Sequence, residues 1–136
     1  MSEILVTSEE LERLLEETHF TRGRGLRLVS LGDGTCTMRV PFRPEMERPG
    51  AIVAGEFYMS AADVAFWCAM KTRLGLDDPS TTSHLNTAFL SSARGEAFEC
   101  LATVLRWGRR LVYGTAECRT LEGKLLTHHT LTYVRG

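Results

Sequence analysis

Residues 54–71, AGEFYMSAADVAFWCAMK, decide how this chain is read. The stretch is long enough for about five helical turns at 3.6 residues per turn, and nothing after Gly55 breaks a helix. Phe57, Tyr58, Met59, Ala61, Ala62, Val64, Ala65, Phe66, Trp67, Ala69 and Met70 distribute apolar side chains round the whole circumference. A helix of that kind has no solvated stripe and is expected to be wrapped by other elements. Glu56, Ser60 and Asp63 make it too polar for a membrane span. Asp63 is a lone carboxylate in the middle of a segment that reads as buried. Such a group finds a partner, shifts its pKa or is kept for chemistry.

Working outward, 136 residues make one domain, 1–136, large enough to bury a core without staples. A net charge of −1 provides no basic footprint, so nucleic acid and anionic membrane surfaces are not expected partners. Cys36, Cys68, Cys100 and Cys118 are widely spaced among apolar neighbours, with no paired-cysteine motif and no histidine at zinc-like spacing. They read as reduced structural thiols, with no metal expected. The first twenty residues are acidic and lack the layout of a signal peptide, which points to a cytoplasmic protein.

Before the long helix, residues 7–17 form a short amphipathic helix, with Thr7 and Glu10 as a capping box and Leu11, Leu14 and Leu15 on one face. Residues 26–31 and 35–40 flank Gly32-Asp33-Gly34, a hairpin signal. Cys36, Met38 and Val40 alternate with polar residues, as in a half-buried strand. Pro41, Pro44 and Pro49 mark residues 41–49 as a loop. After the helix come four strand-like runs, 81–90, 97–107, 111–120 and 124–134. Short Gly-containing connections join them at 93–96, 108–110 and 122–123, so they are expected to pair as successive antiparallel hairpins. One antiparallel sheet and one all-apolar helix have a natural solution: the sheet curls around the helix. The free edges of such a sheet make a dimer a fair expectation.

That order, with its residues, resembles the hotdog fold, an α+β class in which an antiparallel sheet wraps one long central helix. More narrowly it resembles the PaaI-like acyl-CoA thioesterases of the 4-hydroxybenzoyl-CoA thioesterase superfamily. Four local matches carry the likeness: RPGAIVAGEFYMSAADVAF at 48–66, with Gly55 opening the helix and Asp63 eight positions on; Thr82-Ser83-His84-Leu85-Asn86 followed by Phe89-Leu90; Ala93-Arg94-Gly95-Glu96, like the family's usual hairpin; and Gly108-Arg109-Arg110-Leu111, like its glycine-plus-basic turn.

The resemblance implies an acyl-CoA substrate and a mechanism. Gly55 would present a backbone N–H at the positive end of the helix to hold a developing oxyanion. A side chain there would block the substrate. Asp63 would act as nucleophile or as general base. No cofactor is implied, and the assembly expected is a homodimer or a dimer-of-dimers tetramer. The chain departs from the family pattern at Ala54, where many relatives have His, and at Glu56, where many have a second Gly. The Arg-Pro-Gly version of the preceding loop resembles a branch that also lacks that His. A hydroxyl one turn after the acid is replaced by Trp67. Glu56 could meet a polar acyl group. Arg94, Arg109 and Arg110 sit in turns where CoA phosphates approach in relatives. His84 and Asn86, two apart, are expected with Thr82 in one polar row that could reach the site across a dimer interface. His128 and His129 point to opposite faces and read as structural. Three other readings stay open: a non-catalytic acyl-CoA-binding domain, a hotdog hydratase or dehydratase with His84 as its only available catalytic histidine, and a purely structural oligomerisation unit, which would leave Asp63 an unexplained cost.

Overall fold

A computed structural model describes residues 3–136. Helix α1 spans Ser8–Glu17, and the expected capping box is formed: Thr7 Oγ1 accepts from Glu10 N–H, and Glu10 Oε1 accepts from Thr7 N–H. Leu11 and Leu15 are buried, and α1 packs against the first strand.

Strands β1 (Arg27–Gly32) and β2 (Thr35–Val40) form the expected hairpin. The proline-rich stretch is more ordered than a plain loop. It holds a 3-10 turn at Pro44–Met46 and a two-residue ladder between β3 (Glu47–Arg48) and β4 (Ile52–Val53). Pro49 lies in the turn of that ladder, where no N–H is needed, so the prolines break nothing. Ala54 N–H donates to Met46 O at 2.8 Å and fastens the start of the long helix.

Helix α2 spans Gly55–Leu74, and four strands follow: β5 (Thr81–Phe89), β6 (Phe98–Trp107), β7 (Leu111–Thr120) and β8 (Leu125–Val134). The six long strands make one antiparallel sheet in the order β1-β2-β6-β7-β8-β5. β6, β7 and β8 are the expected meander. The hairpin expected at 93–96 is not there: β5 pairs with β8 at the far edge, and β6 sits between β2 and β7. Residues 90–97 instead cross the end of the sheet, three strand spacings or about 14 Å, well within the reach of eight residues. Their backbone groups are bonded on the way. Leu90 and Ser91 donate to Leu126 O, and Ala93 accepts from Val53 N–H at 3.0 Å and donates to Tyr58 Oη at 2.9 Å.

The sheet curls round α2, as the hotdog arrangement requires. Its inner face carries Met38, Cys100, Ala102, Ala116, Leu131 and Tyr133, all buried against Ala62, Ala65, Phe66 and Ala69 of the helix. The four cysteines are free and buried. The helix is not wrapped on every side, however. Glu56 and Met59 are exposed, and Ser60, Asp63 and Trp67 are half-buried. These positions recur every three or four residues, so they form one stripe, on the side away from the sheet. Six strands cover the other sides and leave that stripe open. Among the described residues, no helix is long and apolar enough to cross a membrane.

Candidate active site

Asp63 stands on the open stripe in the middle of α2. Its Oδ1 accepts two hydrogen bonds, from Thr82 Oγ1 at 2.8 Å and from Tyr133 Oη at 2.8 Å. Tyr133 Oη also reaches the Asp63 carbonyl at 3.1 Å. Burial, and next the Asp63 charge, push the Tyr133 phenol well above its ordinary pKa, so it stays protonated and donating. Among the described residues no cation pairs with Asp63 and no donor meets its Oδ2. The carboxylate is therefore oriented through one oxygen and left available through the other. Asp63 borders an open groove of about 350 Å³ walled by Val64, Trp67, Phe20 and the start of β5.

The partners of Asp63 escaped the sequence reading for a definable reason. Alternation placed Thr82, His84 and Asn86 in one row, but β5 carries a bulge: Thr82 pairs with Tyr133 and His84 with Thr132, so Ser83 is the extra residue. A bulge resets which face each side chain takes. Thr82 turns inward to Asp63. His84 and Asn86 turn outward, exposed and bonded to each other at 2.9 Å. The row is corrected to a lone inward Thr82, and within one chain His84 lies on the opposite face of the sheet from Asp63. Ser80 was also missed; it is buried, its hydroxyl has no partner, and it lines the Asp63 groove.

Gly55 opens α2 as expected. Ala54 provides no side-chain cap, and among the described residues neither the Gly55 nor the Glu56 N–H finds an acceptor. These free donors lie at the positive end of the helix. The space a side chain would need at Gly55 is taken by the ring of Phe89, 2.9 Å from where a Cβ would stand. Glu56 is exposed. Gly55 borders a second groove, of about 280 Å³, shared with Arg48, Tyr58 and Phe89. Eight residues separate Gly55 from Asp63, about 12 Å along the helix. One chain thus keeps the two expected catalytic groups in separate grooves.

The basic turns are also apart. Arg94 lies at the N-terminal end of α2, where its Nη1 donates to Gly50 O at 3.0 Å. Arg109 and Arg110 lie in the β6–β7 turn at the opposite end of the sheet. Trp67 stacks beside Phe20, ring centroids 6.1 Å apart, and takes Lys71 Nζ at 4.3 Å from its ring centroid. His129 is buried between Thr87 and Thr127, and His128 faces Glu117 on the outer surface, so both are structural. Among the described residues no cluster of His, Cys, Asp and Glu is disposed to hold a metal.

If the phenol steers Asp63, Tyr133→Phe lowers kcat about tenfold and changes KM little, because a single charge-assisted hydrogen bond is lost. Steady-state kinetics on any accepted substrate check this; an unchanged kcat would reduce Tyr133 to a packing residue.

A model of the thioesterase superfamily matches residues 51–127. A protein of Sulfurisphaera tokodaii, provisionally named an esterase, is 26% identical over 115 residues, 83% of this chain and 84% of its own length. A conserved protein of Pseudomonas aeruginosa is similar in structure at a TM-score of 0.83 and 27% identity, over 91% of this chain and 98% of the other. The PaaI protein of the Escherichia coli phenylacetic acid degradation operon is similar in fold, with a TM-score of 0.83 at 17% identity over 94% and 91% of the two chains.

Proposed function

The chain belongs to the thioesterase superfamily, and from that premise we propose that it hydrolyses an acyl-CoA thioester to the free acid and CoA. The observation that carries this reading is the carboxylate of Asp63 on the wall of a groove, bonded through one oxygen to two neutral hydroxyls and, among the described residues, unpaired by any cation. As base, the other oxygen takes a proton from water while the water oxygen bonds to the acyl carbon. The tetrahedral intermediate then expels the CoA sulfur, which takes up the proton. As nucleophile, the same oxygen bonds to the acyl carbon and the carbon–sulfur bond breaks, releasing CoA as thiolate. Water then adds to the anhydride, the free acid leaves, the Asp63 carboxylate is restored and the proton given up by water goes to the thiolate. Both routes begin from an ionised Asp63.

The oxyanion needs a donor that Asp63's own chain holds about 12 Å away along the helix. We assign it to the Gly55 N–H of a second copy, which makes the active unit a homodimer or a pair of dimers. The open stripe of α2 and the free edge of the nine-residue strand β5 are the surfaces available for that association. Arg48 lines the Gly55 groove and Arg94 bonds to Gly50 O in the loop before the helix; these are the cations we assign to the CoA phosphates. Arg109 and Arg110, at the other end of the sheet, are left without a role in the same subsite. The outward turn of His84 weighs against a hydratase.

The test is thiol release from short, long and aryl acyl-CoAs, with the oligomeric state measured on the same sample. Turnover by an oligomer supports the reading. Saturable binding of the esters without thiol release would favour a binding domain, and turnover by a monomer would overturn the assignment of Gly55.

A further inference from the structure

A second polar cluster lies on the other flank of the open helix stripe, where α2 faces β2. Arg24, in the loop after α1, donates from Nη1 to Ser60 Oγ at 2.8 Å. Arg43, in the loop after β2, donates from Nη1 to Glu45 at 2.7 Å. Both arginines line one recess together with Ser60, and the rest of its wall is apolar, with Leu26, Val40, Phe57 and Val64. Glu45 is largely exposed and no carboxylate lines the recess. Among the described residues Arg43 Nε is buried with no partner. Arg24 has its pKa lowered by burial and then by the neighbouring Arg43 charge. Glu45 already pairs with Arg43 through Nη1, so among the described residues the recess leaves unanswered the Arg24 charge, bonded there to the Ser60 hydroxyl, and the buried Arg43 Nε–H, which one further anion would meet together.

The recess holds about 10 Å³, room for one water-sized atom such as a single carboxylate oxygen. The rest of the carboxylate and the chain behind it would lie outside, along the open stripe. Its position relates it to the reacting centre. Val64 lines both this recess and the Asp63 groove, and Ser60 lies one helical turn before Asp63 on the same face. A chain lying along the open stripe would connect the two.

We propose that Arg24 and Arg43 bind a carboxylate at the far end of the acyl group, so that the preferred substrate is the CoA half-ester of a dicarboxylic acid. The assignment rests on the thioesterase reading given above. Arg24 and Arg43 are specificity residues in it, remote from the bonds that change. The guanidinium fork suits a carboxylate.

Matched esters test this: suberyl-CoA against octanoyl-CoA, equal in carbon number and in CoA phosphates, with wild type, Arg24→Gln, Arg24→Lys and Arg43→Gln. Wild type is expected to favour suberyl-CoA in kcat/KM by about tenfold or more, the value of a charge-assisted pair. Arg24→Gln and Arg43→Gln should each remove most of that preference through KM while octanoyl-CoA stays within about twofold, and Arg24→Lys should restore part of it. Three results overturn the proposal: no preference in wild type, equal loss for both esters, or a change confined to oligomer stability, which would make a second copy's carboxylate the missing anion. If wild type releases thiol from neither ester, the thioesterase reading fails separately. Calorimetric binding of the same two esters to wild type and Arg24→Gln then decides the recess: tighter suberyl-CoA binding lost in the variant supports it, and equal binding overturns it.

Discussion

Asp63→Asn is expected to lower thioester hydrolysis by about a thousandfold or more and to leave the fold and assembly intact. The expectation follows from what the substitution keeps. Asparagine has the shape of aspartate, and its Oδ1 can still accept from Thr82 and Tyr133, now 2.8 Å from Asp63 Oδ1. What it loses is the ionised second oxygen. A positioned base contributes roughly a hundredfold to ten-thousandfold, and an attacking carboxylate cannot be replaced by an amide at all. Asp63→Ala is the less informative variant, because it leaves two hydroxyls without an acceptor. The measurement is thiol release at saturating ester, with circular dichroism and sedimentation as controls for fold and assembly. Equal rates in wild type and Asp63→Asn would move the chemistry elsewhere. A lost rate with dissociated subunits would make Asp63 an interface residue instead.

Much of this site was legible in the residues, and the parts that were not share a cause. The long helix and the lone carboxylate of Asp63 within it follow from composition along one continuous element, which local pattern reports well, while Gly55 opening the helix eight residues before Asp63 came from the family resemblance. The capping box of α1 is local in the same sense. The partners of Asp63 come from β5 and β8, and their arrival depends on register. One extra residue at Ser83 turns Thr82 inward and sends His84 and Asn86 outward. A bulge leaves no mark in a period-two pattern. The place of β5 at the sheet edge was hidden for a related reason: a glycine-containing connection looks like a hairpin whether its strands pair or part. The open stripe on α2 was hidden by its own apolar content. Met59 and Trp67 read as core, yet they border the surface assigned here to substrate and to a second copy. The arginine recess was legible only after folding, since Arg24, Arg43 and Ser60 are distant in sequence.

Gly114→Ala is expected to destabilise the fold by about 3 kcal/mol or more, a thermal shift on the order of 10 °C. Gly114 lies inside β7, buried beneath the centre of α2 and opposite Val104 of β6. A Cβ there would run into the carbonyl oxygen of Thr103 and would stand 2.5 Å from the ring of Phe66. The first obstacle is backbone in a sheet interior, so relief requires β6 and β7 to part. The same change at Gly55 meets only the side chain of Phe89, which is 55% exposed and free to turn aside. Gly55→Ala should therefore cost less than about 1 kcal/mol in stability and act on hydrolysis by crowding the helix N-terminus. Gly114→Ala should act on both. Phe66 packs on Tyr133 with ring centroids 5.5 Å apart, and Tyr133 holds Asp63, so a displaced Phe66 disturbs the carboxylate through one intermediate ring. Thermal unfolding and thiol release measured on both variants separate the cases. A stable Gly114→Ala would mean that the helix does not approach the sheet this closely. Gly55→Ala unfolding as readily as Gly114→Ala would mean that Phe89 is locked in place, and that Gly55 is retained for packing and not for the approach of a substrate.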